Sequence, residues 1–235
     1  MTIIRTLLLA LAFVPAAAFA AETGYRLDKS PHEPTDLVSL QSGAKFYVNY
    51  CLGCHSVQYV RYGGLSELGL NEQQIKDFLM FTGDKVGEPM KTPMDPKAAK
   101  QWFGVAPPDL SVISRSRGAD WLYTYLRTFY RDPKAATGWN NMVFANVGMP
   151  HALWTLQGVR GYDHEKKQWT EISKGTMSQV EYDLAVRDLV NFLVYVGEPA
   201  AHSRKSIGIV VLLVLVLVLF PITYWLKKEY WKDVS

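Results

Sequence analysis

Cys51-Leu52-Gly53-Cys54-His55 is the stretch of this sequence that decides the fold. Two cysteines separated by two residues and followed at once by a histidine form the attachment pattern of c-type haem. In that chemistry both thiols form thioether bonds to the haem edge, and the adjacent imidazole binds the iron from one face. Cys51 and Cys54 are also the only cysteines among the 235 residues. The sequence therefore predicts one covalently bound haem c, with His55 as an axial ligand of its iron.

The spacing of the cysteine pair permits three other uses: a local disulfide, a thiol redox pair and half of a zinc site. A zinc site needs further soft ligands at matching spacing, and the sequence has no second cysteine pair. A thioredoxin-like pair belongs beside a βαβ pattern, and no such pattern surrounds residues 51–54. Haem attachment is therefore the favoured interpretation of the motif.

The first 20 residues have the three parts of a secretory signal peptide. A basic start at Arg5 precedes an apolar run, Leu7–Val14, and the small-residue ending Ala18-Phe19-Ala20. We expect cleavage after Ala20 and export of the residues that follow. An uncut anchor is the alternative, although the apolar run is too short to span a bilayer.

A longer apolar run lies near the other end of the chain. Ile207–Leu226 is apolar apart from Thr223 and the hydroxyl of Tyr224. At about 1.5 Å rise per residue, a helix of this length spans about 30 Å, the thickness of the hydrocarbon core of a bilayer. We therefore predict an exported haem domain at residues 21–203, a transmembrane anchor helix at 204–226 surrounded by membrane lipid, and a cytoplasmic tail at 227–235.

The formal net charge of +3 does not describe the exported part. Of the 25 basic and 22 acidic residues, six basic and two acidic ones lie in the predicted signal peptide, beside the anchor or in the tail. The exported part is therefore close to neutral, at about −1, and has no basic stripe. These features exclude nucleic acid as a partner.

Four helices are predicted in the exported part. The first begins near Ser39 or Ser42 and runs into the haem motif, and the others are Glu72–Phe81, Trp121–Tyr130 and Gln179–Val196. Residues 83–108 are expected to form a loop, and residues 162–172 a small hairpin. Gly43 lies within the first helix, where it costs stability unless another element packs close to it.

The second axial ligand of the iron decides what a haem at His55 can do. A methionine thioether gives an electron carrier of relatively high potential, whereas an empty position permits ligand or peroxide chemistry. Met149 is the favoured ligand. Gly148 lets the backbone approach the haem, and Pro150 stiffens the loop that carries the sulfur.

Two other residues are candidates for the same position. Met177 directly precedes Ser178, the predicted cap of the last helix, and a hydrophobic staple with Tyr182 explains it there. His151 would give a bis-histidine haem of lower potential, but a lone loop histidine is more often solvated. We therefore expect Met177 in apolar packing and His151 at the surface.

Several segments together resemble one family. In chain order they are Gly43-x-x-x-Tyr47-x-x-x-Cys51-x-x-Cys54-His55, Pro107-Pro108-Asp109-Leu110-Ser111, Arg115-x-Arg117-Gly118, Gly148-Met149-Pro150 and Thr176-Met177-Ser178-Gln179-Val180. Many c-type cytochromes share the attachment motif, but the other segments and the C-terminal anchor are far more specific. The chain resembles the cytochrome c1 family of bacterial type, the haem subunits of quinol–cytochrome c oxidoreductase (cytochrome bc1, Complex III).

The resemblance implies an all-α fold, with a cytochrome c-like haem domain, long loops and one C-terminal transmembrane helix. It implies His55 and Met149 as the axial ligands, and Arg117 as the partner of a haem propionate, with Arg115 as its substitute. A guanidinium suits a carboxylate because it can bind both oxygens. Pro108 or the proline before it would pack against the haem, and a backbone carbonyl nearby would orient His55 through its other ring nitrogen.

The resemblance also implies the partners. Electrons would arrive from a mobile Rieske iron–sulfur protein and leave to a soluble or membrane-tethered cytochrome c. The chain would lie beside cytochrome b in a dimeric complex, as a single-pass protein of the bacterial inner (plasma) membrane. Its haem domain would be in the periplasm, and the isolated chain would catalyse no reaction. An excess of three acidic residues between Gly64 and Pro96 would steer a basic cytochrome toward the haem edge, unless it is an ordinary solvated face.

Three other functions remain open at this stage. One is an anchored monohaem carrier that serves a terminal oxidase or another reductase. The second is a haem enzyme or sensor with an open iron position, and the third is an assembly factor that uses the two cysteines as thiols. The chain also departs from the family in two places. Residues 141–146 replace an aromatic-Pro-Gly run, and the extra cysteine pair of some members is missing.

Overall fold

The computed structural model describes residues 24–233, so the predicted signal peptide at 1–20 lies outside the described residues. The described chain is mostly helical, with three short two-stranded sheets. The helices are α1 Leu37–Tyr50, α2 Glu72–Phe78, α3 Pro96–Phe103, α4 Ile113–Arg117, α5 Ala119–Arg127, α6 Trp154–Gln157, α7 Gln179–Gly197, α8 Ala201–Val214 and α9 Phe220–Tyr230. The strands are β1 Val57–Arg61, β2 Pro89–Met90, β3 Phe129–Arg131, β4 Trp139–Asn141, β5 Gly158–Asp163 and β6 Gln168–Lys174.

Helices α1 and α7 cross at close range and form the centre of the core. Asp36 caps α1 by accepting hydrogen bonds from the amides of Val38 and Ser39, so the helix begins slightly before the predicted start. A side chain at Gly43 would overlap the backbone carbonyl of Asp188 and the Cβ of Phe192. The glycine therefore permits the crossing, and its helix carries the haem motif directly after Tyr50.

The last helix of the haem domain begins where the sequence predicts. Ser178 and Glu181 form a reciprocal capping box, in which each side chain accepts from the other residue's backbone amide. One face of α7 is buried, and it packs against α1, α4 and α5. The resulting core also buries Tyr47, whose ring lies 5.6 Å from that of Phe192.

Two strand pairs were not expected from the sequence. The predicted helix Trp121–Tyr130 is wrong at its C-terminal end, because α5 ends at Arg127 and β3 follows, paired antiparallel with β4. Asn141 of β4 explains the early end. Its side-chain amide donates to the carbonyl of Tyr125 at 2.8 Å, so the strand satisfies a carbonyl of the last turn. The predicted hairpin within 162–172 is confirmed as part of β5 and β6.

The predicted loop over residues 83–108 contains α3, and the predicted helix Glu72–Phe81 ends at Phe78. Asp95 caps α3, Pro96 occupies its first position and Gly104 ends it in the left-handed conformation. The chain after α3 returns toward residues 148–149, and this return brings the Pro107-Pro108 segment to the haem motif.

A nearly continuous helix of residues 201–230 forms the C-terminal part of the described chain. Within it, Ser203–Tyr230 has a mean hydropathy of 2.9 in its most apolar window and is long and apolar enough to cross a membrane. A π-helical segment, Leu215–Leu219, precedes Pro221, which lacks the amide proton that a regular helix needs there. The side chains along this span are exposed, which is the arrangement that a hydrocarbon environment favours.

Candidate haem-binding site

The Cys-x-x-Cys-His motif forms a tight turn at the C-terminal end of α1. The backbone amides of Cys54 and His55 both donate to the carbonyl of Cys51, at 3.0 and 2.8 Å. This turn places both thiols and the imidazole along one cavity. Burial raises the pKa of the Cys51 thiol to about 12 and also raises that of Cys54, so both sulfurs are protonated at neutral pH.

The imidazole of His55 is buried and fixed in orientation. Its Nδ1 lies 2.7 Å from the backbone carbonyl oxygen of Pro108. Because a carbonyl oxygen only accepts, Nδ1 carries the proton and the lone pair of Nε2 is free to bind a metal. Burial lowers the pKa of His55, which keeps the ring neutral. The family resemblance implied that a nearby backbone carbonyl orients His55, and in the structure this carbonyl is that of Pro108.

The segment that carries Pro108 is held in place by the residues after the haem motif. Three hydrogen bonds connect residues 109–111 with residues 56–59: Leu110 N to Ser56 O at 2.8 Å, Gln58 N to Asp109 Oδ2 at 3.1 Å and Tyr59 N to Ser111 Oγ at 3.2 Å. These contacts give the Pro-Pro-Asp-Leu-Ser segment a physical role. It holds in place the backbone carbonyl of Pro108, which is the hydrogen-bond partner of His55.

Two adjoining cavities, of about 110 and 300 Å³, lie beside the motif. The residues that line both are Cys51, His55, Val105, Pro108, Leu126, Gly148 and Met149. Their walls are mostly apolar, with further leucines from α7 and aromatic side chains from α5. Four of the six predicted site residues, Cys51, His55, Pro108 and Met149, thus line both cavities. Cys54 lines the first cavity alone, and Arg117 lines the second alone.

Met149 is half-buried, and its sulfur accepts a hydrogen bond from the hydroxyl of Tyr125 at 3.3 Å. Gly148 lies against the segment after α3, where an added Cβ would come 2.9 Å from Val105 Cγ1 and 3.2 Å from the carbonyl oxygen of Phe103. The glycine therefore allows the methionine loop and the α3 segment to close on each other beside the cavity.

Arg117 lies at the end of α4, exposed, with its guanidinium 5.2 Å from the ring of Trp121 and 5.7 Å from that of Phe144. It lines the second cavity as its cationic residue. Arg115 lies elsewhere, 3.9 Å from the carboxylate of Glu198. Of the two arginines, the structure therefore brings Arg117 to the site.

The two other candidates for the second axial ligand line neither cavity. Met177 packs against the apolar core, as expected. His151 was expected at the surface, and that prediction is wrong, because only 2% of its surface is exposed. Its ring stacks on Phe129, with centroids 4.8 Å apart, and meets the edge of Trp139. Burial in this aromatic surrounding lowers its pKa to about 4.

Sequence reasoning missed several residues at this site. Tyr125 and Trp121 lie one turn apart on α5, and Leu189 and Leu193 lie one turn apart on α7. Their helical spacing indicated an inward-facing side of each helix, but nothing in the pattern told a haem-facing position from an ordinary core position. Val105, in a segment predicted as loop, carried no signal.

The donor set fits a c-type haem. It provides two thiols for the haem edge, a neutral imidazole with a free Nε2, a thioether and apolar walls, with one guanidinium at the second cavity. A mostly helical fold with such a site and a C-terminal anchor helix defines the class of membrane-anchored c-type cytochromes.

Comparison with known proteins agrees with this class and identifies one family within it. Residues 28–234 match the Cytochrome C1 family, and the chain belongs to that family. It is 44% identical to cytochrome c1 of Allochromatium vinosum, over 98% of this chain and 99% of that protein. It is 48% identical to a protein of Nitrosomonas europaea named ammonia monooxygenase gamma subunit, over the full length of both.

The chain is also similar to a longer and more distant relative, whose name combines cytochrome b and cytochrome c1. The chain is 26% identical to cytochrome b/c1 of Bradyrhizobium diazoefficiens, over 86% of this chain and 34% of that longer protein. Membership of the family implies a c-type haem, a membrane anchor and a place in the cytochrome bc1 complex with cytochrome b and the Rieske protein.

Proposed function

We propose that this chain holds one covalently bound haem c and passes electrons from a Rieske iron–sulfur protein to a soluble or membrane-tethered cytochrome c. It would do so as the haem subunit of a quinol–cytochrome c oxidoreductase. The observation that supports this most strongly is the lining of one apolar cavity by Cys51, His55 and Met149, with Cys54 beside them.

Each predicted residue has a role that its surroundings support. Cys51 and Cys54 would form the thioether bonds, and His55 and Met149 would bind the iron, which takes up and releases one electron at a time. The carbonyl of Pro108 holds His55 in the tautomer that leaves Nε2 free. Arg117 would pair with a propionate at the second cavity.

The apolar walls support electron transfer rather than catalysis on a bound substrate. A surrounding of low dielectric constant disfavours the additional charge of the oxidised haem. Together with a thioether ligand, it therefore raises the reduction potential of the haem. With both axial positions taken by protein side chains, no position would remain for an external ligand. The alternative of an open-site haem enzyme or sensor needs Met149 to be displaced.

The proposed topology places the site outside the cytoplasm. After removal of residues 1–20, residues 21–203 would form the periplasmic domain, 204–226 the anchor in the inner membrane and 227–235 the cytoplasmic tail. The apolar span Ser203–Tyr230 supports the anchor. Because Arg204 and Lys205 precede the span and Lys227 and Lys228 follow it, flanking charge is a weak guide to orientation, and the orientation rests on the predicted signal peptide.

A second candidate follows from a relative's name. The Nitrosomonas europaea protein, at 48% identity, is slightly more similar to this chain than the Allochromatium vinosum cytochrome c1 at 44%, and it is called an ammonia monooxygenase subunit. In that case the same haem site would exchange electrons with a different membrane complex.

Purification of the full chain in mild detergent tests both candidates. We expect a haem stain that survives denaturing electrophoresis, and cytochrome b and a Rieske protein in the purified complex. Co-purification of monooxygenase subunits without cytochrome b would favour the second candidate. Absence of a denaturation-resistant haem stain would contradict both and support use of the cysteines as thiols.

A further inference from the structure

Tyr125 makes the polar contact to the proposed sulfur ligand. Its hydroxyl donates a hydrogen bond to Met149 Sδ at 3.3 Å. Only 8% of Tyr125 is exposed, and its phenolic hydroxyl is a hydrogen-bond donor. A buried hydroxyl without an acceptor is unfavourable, and the Met149 sulfur supplies one.

The ring of Tyr125 is held on both sides, which fixes where the hydroxyl points. Trp121, one turn earlier on α5, stacks on it with centroids 4.7 Å apart and planes 13° apart. Phe129 meets it edge to face at 5.0 Å. Such aromatic contacts stabilise one orientation of the ring. The position of the hydroxyl is therefore set by contacts within α5 and with β3, and not by the methionine alone.

We propose that Tyr125 is a positioning residue for the sulfur of Met149. A thioether sulfur has two lone pairs, so one can accept from the tyrosine hydroxyl while the other stays free to bind iron. The inference rests on the proposed function, because it requires Met149 to be the axial ligand. Tyr125 contacts the proposed ligand, so it would act through Met149.

The hydrogen bond has an electronic consequence. It draws electron density from the sulfur and so weakens it as a donor to iron. Oxidised iron depends more on ligand donation than reduced iron does, so the hydrogen bond favours the reduced state. Removing the hydroxyl should therefore lower the reduction potential.

The test compares two tyrosine-to-phenylalanine variants of the full-length holoprotein. Tyr125→Phe removes the hydroxyl and keeps the ring with its aromatic contacts. Tyr123→Phe is the matched control, since Tyr123 lies on the same helix, is 7% exposed, and faces the guanidinium of Arg127 at 4.4 Å. Redox titration followed by absorbance measures the midpoint potential of each, and the near-infrared sulfur–iron band reports ligation by methionine.

We expect Tyr125→Phe to keep the band and to lower the midpoint potential, while Tyr123→Phe matches the parent. A neutral hydrogen bond contributes about 1 kcal/mol, so the ratio of reduced to oxidised protein at a fixed potential should fall by up to about fivefold, or about 40 mV. Equal midpoints in both variants and the parent would show that Tyr125 is only a packing residue. An oxidised parent without the band would instead refute the role of Met149 and the proposed function with it.

A measurement on the parent covers the case in which Tyr125→Phe does not bind haem. Deuteration of a hydroxyl bonded to the ligand sulfur should shift the iron–sulfur stretching band in the vibrational spectrum between H₂O and D₂O. We expect that shift in the parent and in Tyr123→Phe. An unshifted band in both would overturn the inference.

Discussion

Substitution of Gly43 by alanine tests how the haem motif is held. At an unhindered helix position the change from glycine to alanine stabilises a protein by up to about 1 kcal/mol. Here the new Cβ would overlap the backbone carbonyl of Asp188 and the Cβ of Phe192 on α7. Neither atom can rotate away, because one belongs to the backbone and the other is fixed to it.

The two effects oppose each other, and their sizes decide the outcome. Overpacking of a tight core contact costs about 1 to 3 kcal/mol, and an overlap with backbone belongs at the upper end of that range. After the gain in helix propensity, we expect Gly43→Ala to lose about 1 to 2 kcal/mol of stability. Because α1 ends at the haem motif, separation of α1 from α7 should also reduce the fraction of protein that binds haem covalently.

Thermal unfolding of the purified chain, followed by circular dichroism, measures the loss, and haem absorbance per protein measures the loading. The matched control is Gly64→Ala, in the 3₁₀ helix Tyr62–Leu68, where no atom lies within 4 Å of the added Cβ. The control should unfold at or slightly above the temperature of the parent. If Gly43→Ala unfolded at a higher temperature than the parent, the close crossing of α1 and α7 would be refuted.

Three further predictions concern stability and docking. Replacing Arg127 by methionine removes its paired hydrogen bonds to Asp183, at 2.6 and 3.0 Å, and should destabilise the protein by about 2 kcal/mol, measured by urea unfolding. An unchanged midpoint would contradict a stabilising role of this partly buried pair. The backbone amide of Ser178 donates to the carboxylate of Glu181 and lowers its pKa, so this stabilisation is present above the usual carboxyl pKa near 4.5 and is lost as pH falls through the lowered value. Glu181→Gln should therefore lose stability relative to the parent at pH 7 and approach it in acid, and a constant difference would contradict the linkage. Charge reversal at Glu67 should slow association with a basic cytochrome at low salt and have little effect at high salt; a rate independent of salt would refute steering by the acidic region.

Local chemistry made much of the site predictable. Covalent attachment needs two thiols and an imidazole at a fixed short spacing, and residues 51–55 show that spacing directly. The capping box of α7 is equally local, because Ser178 and Glu181 are three residues apart. The predictions for such features needed no knowledge of the tertiary fold.

The errors come from contacts between distant segments. The C-terminal end of α5 depends on Asn141, whose side chain reaches a carbonyl sixteen positions earlier in the chain. His151 is buried because Phe129 and Trp139 enclose it, and no property of its own neighbours in sequence indicates that. The helix α3 is a different case, since Asp95, Pro96 and Gly104 carried ordinary start and stop signals that the proline-rich composition obscured.

The near-infrared spectrum of oxidised protein tests the central claim, that His55 and Met149 hold the iron, most directly. It should be recorded for the parent and for Met149→Leu and Met177→Leu, two substitutions that keep side-chain volume nearly constant. We predict a weak sulfur–iron band in the parent and in Met177→Leu, and its loss in Met149→Leu. High-spin iron without the band in the parent, or loss of the band in Met177→Leu alone, would contradict the account.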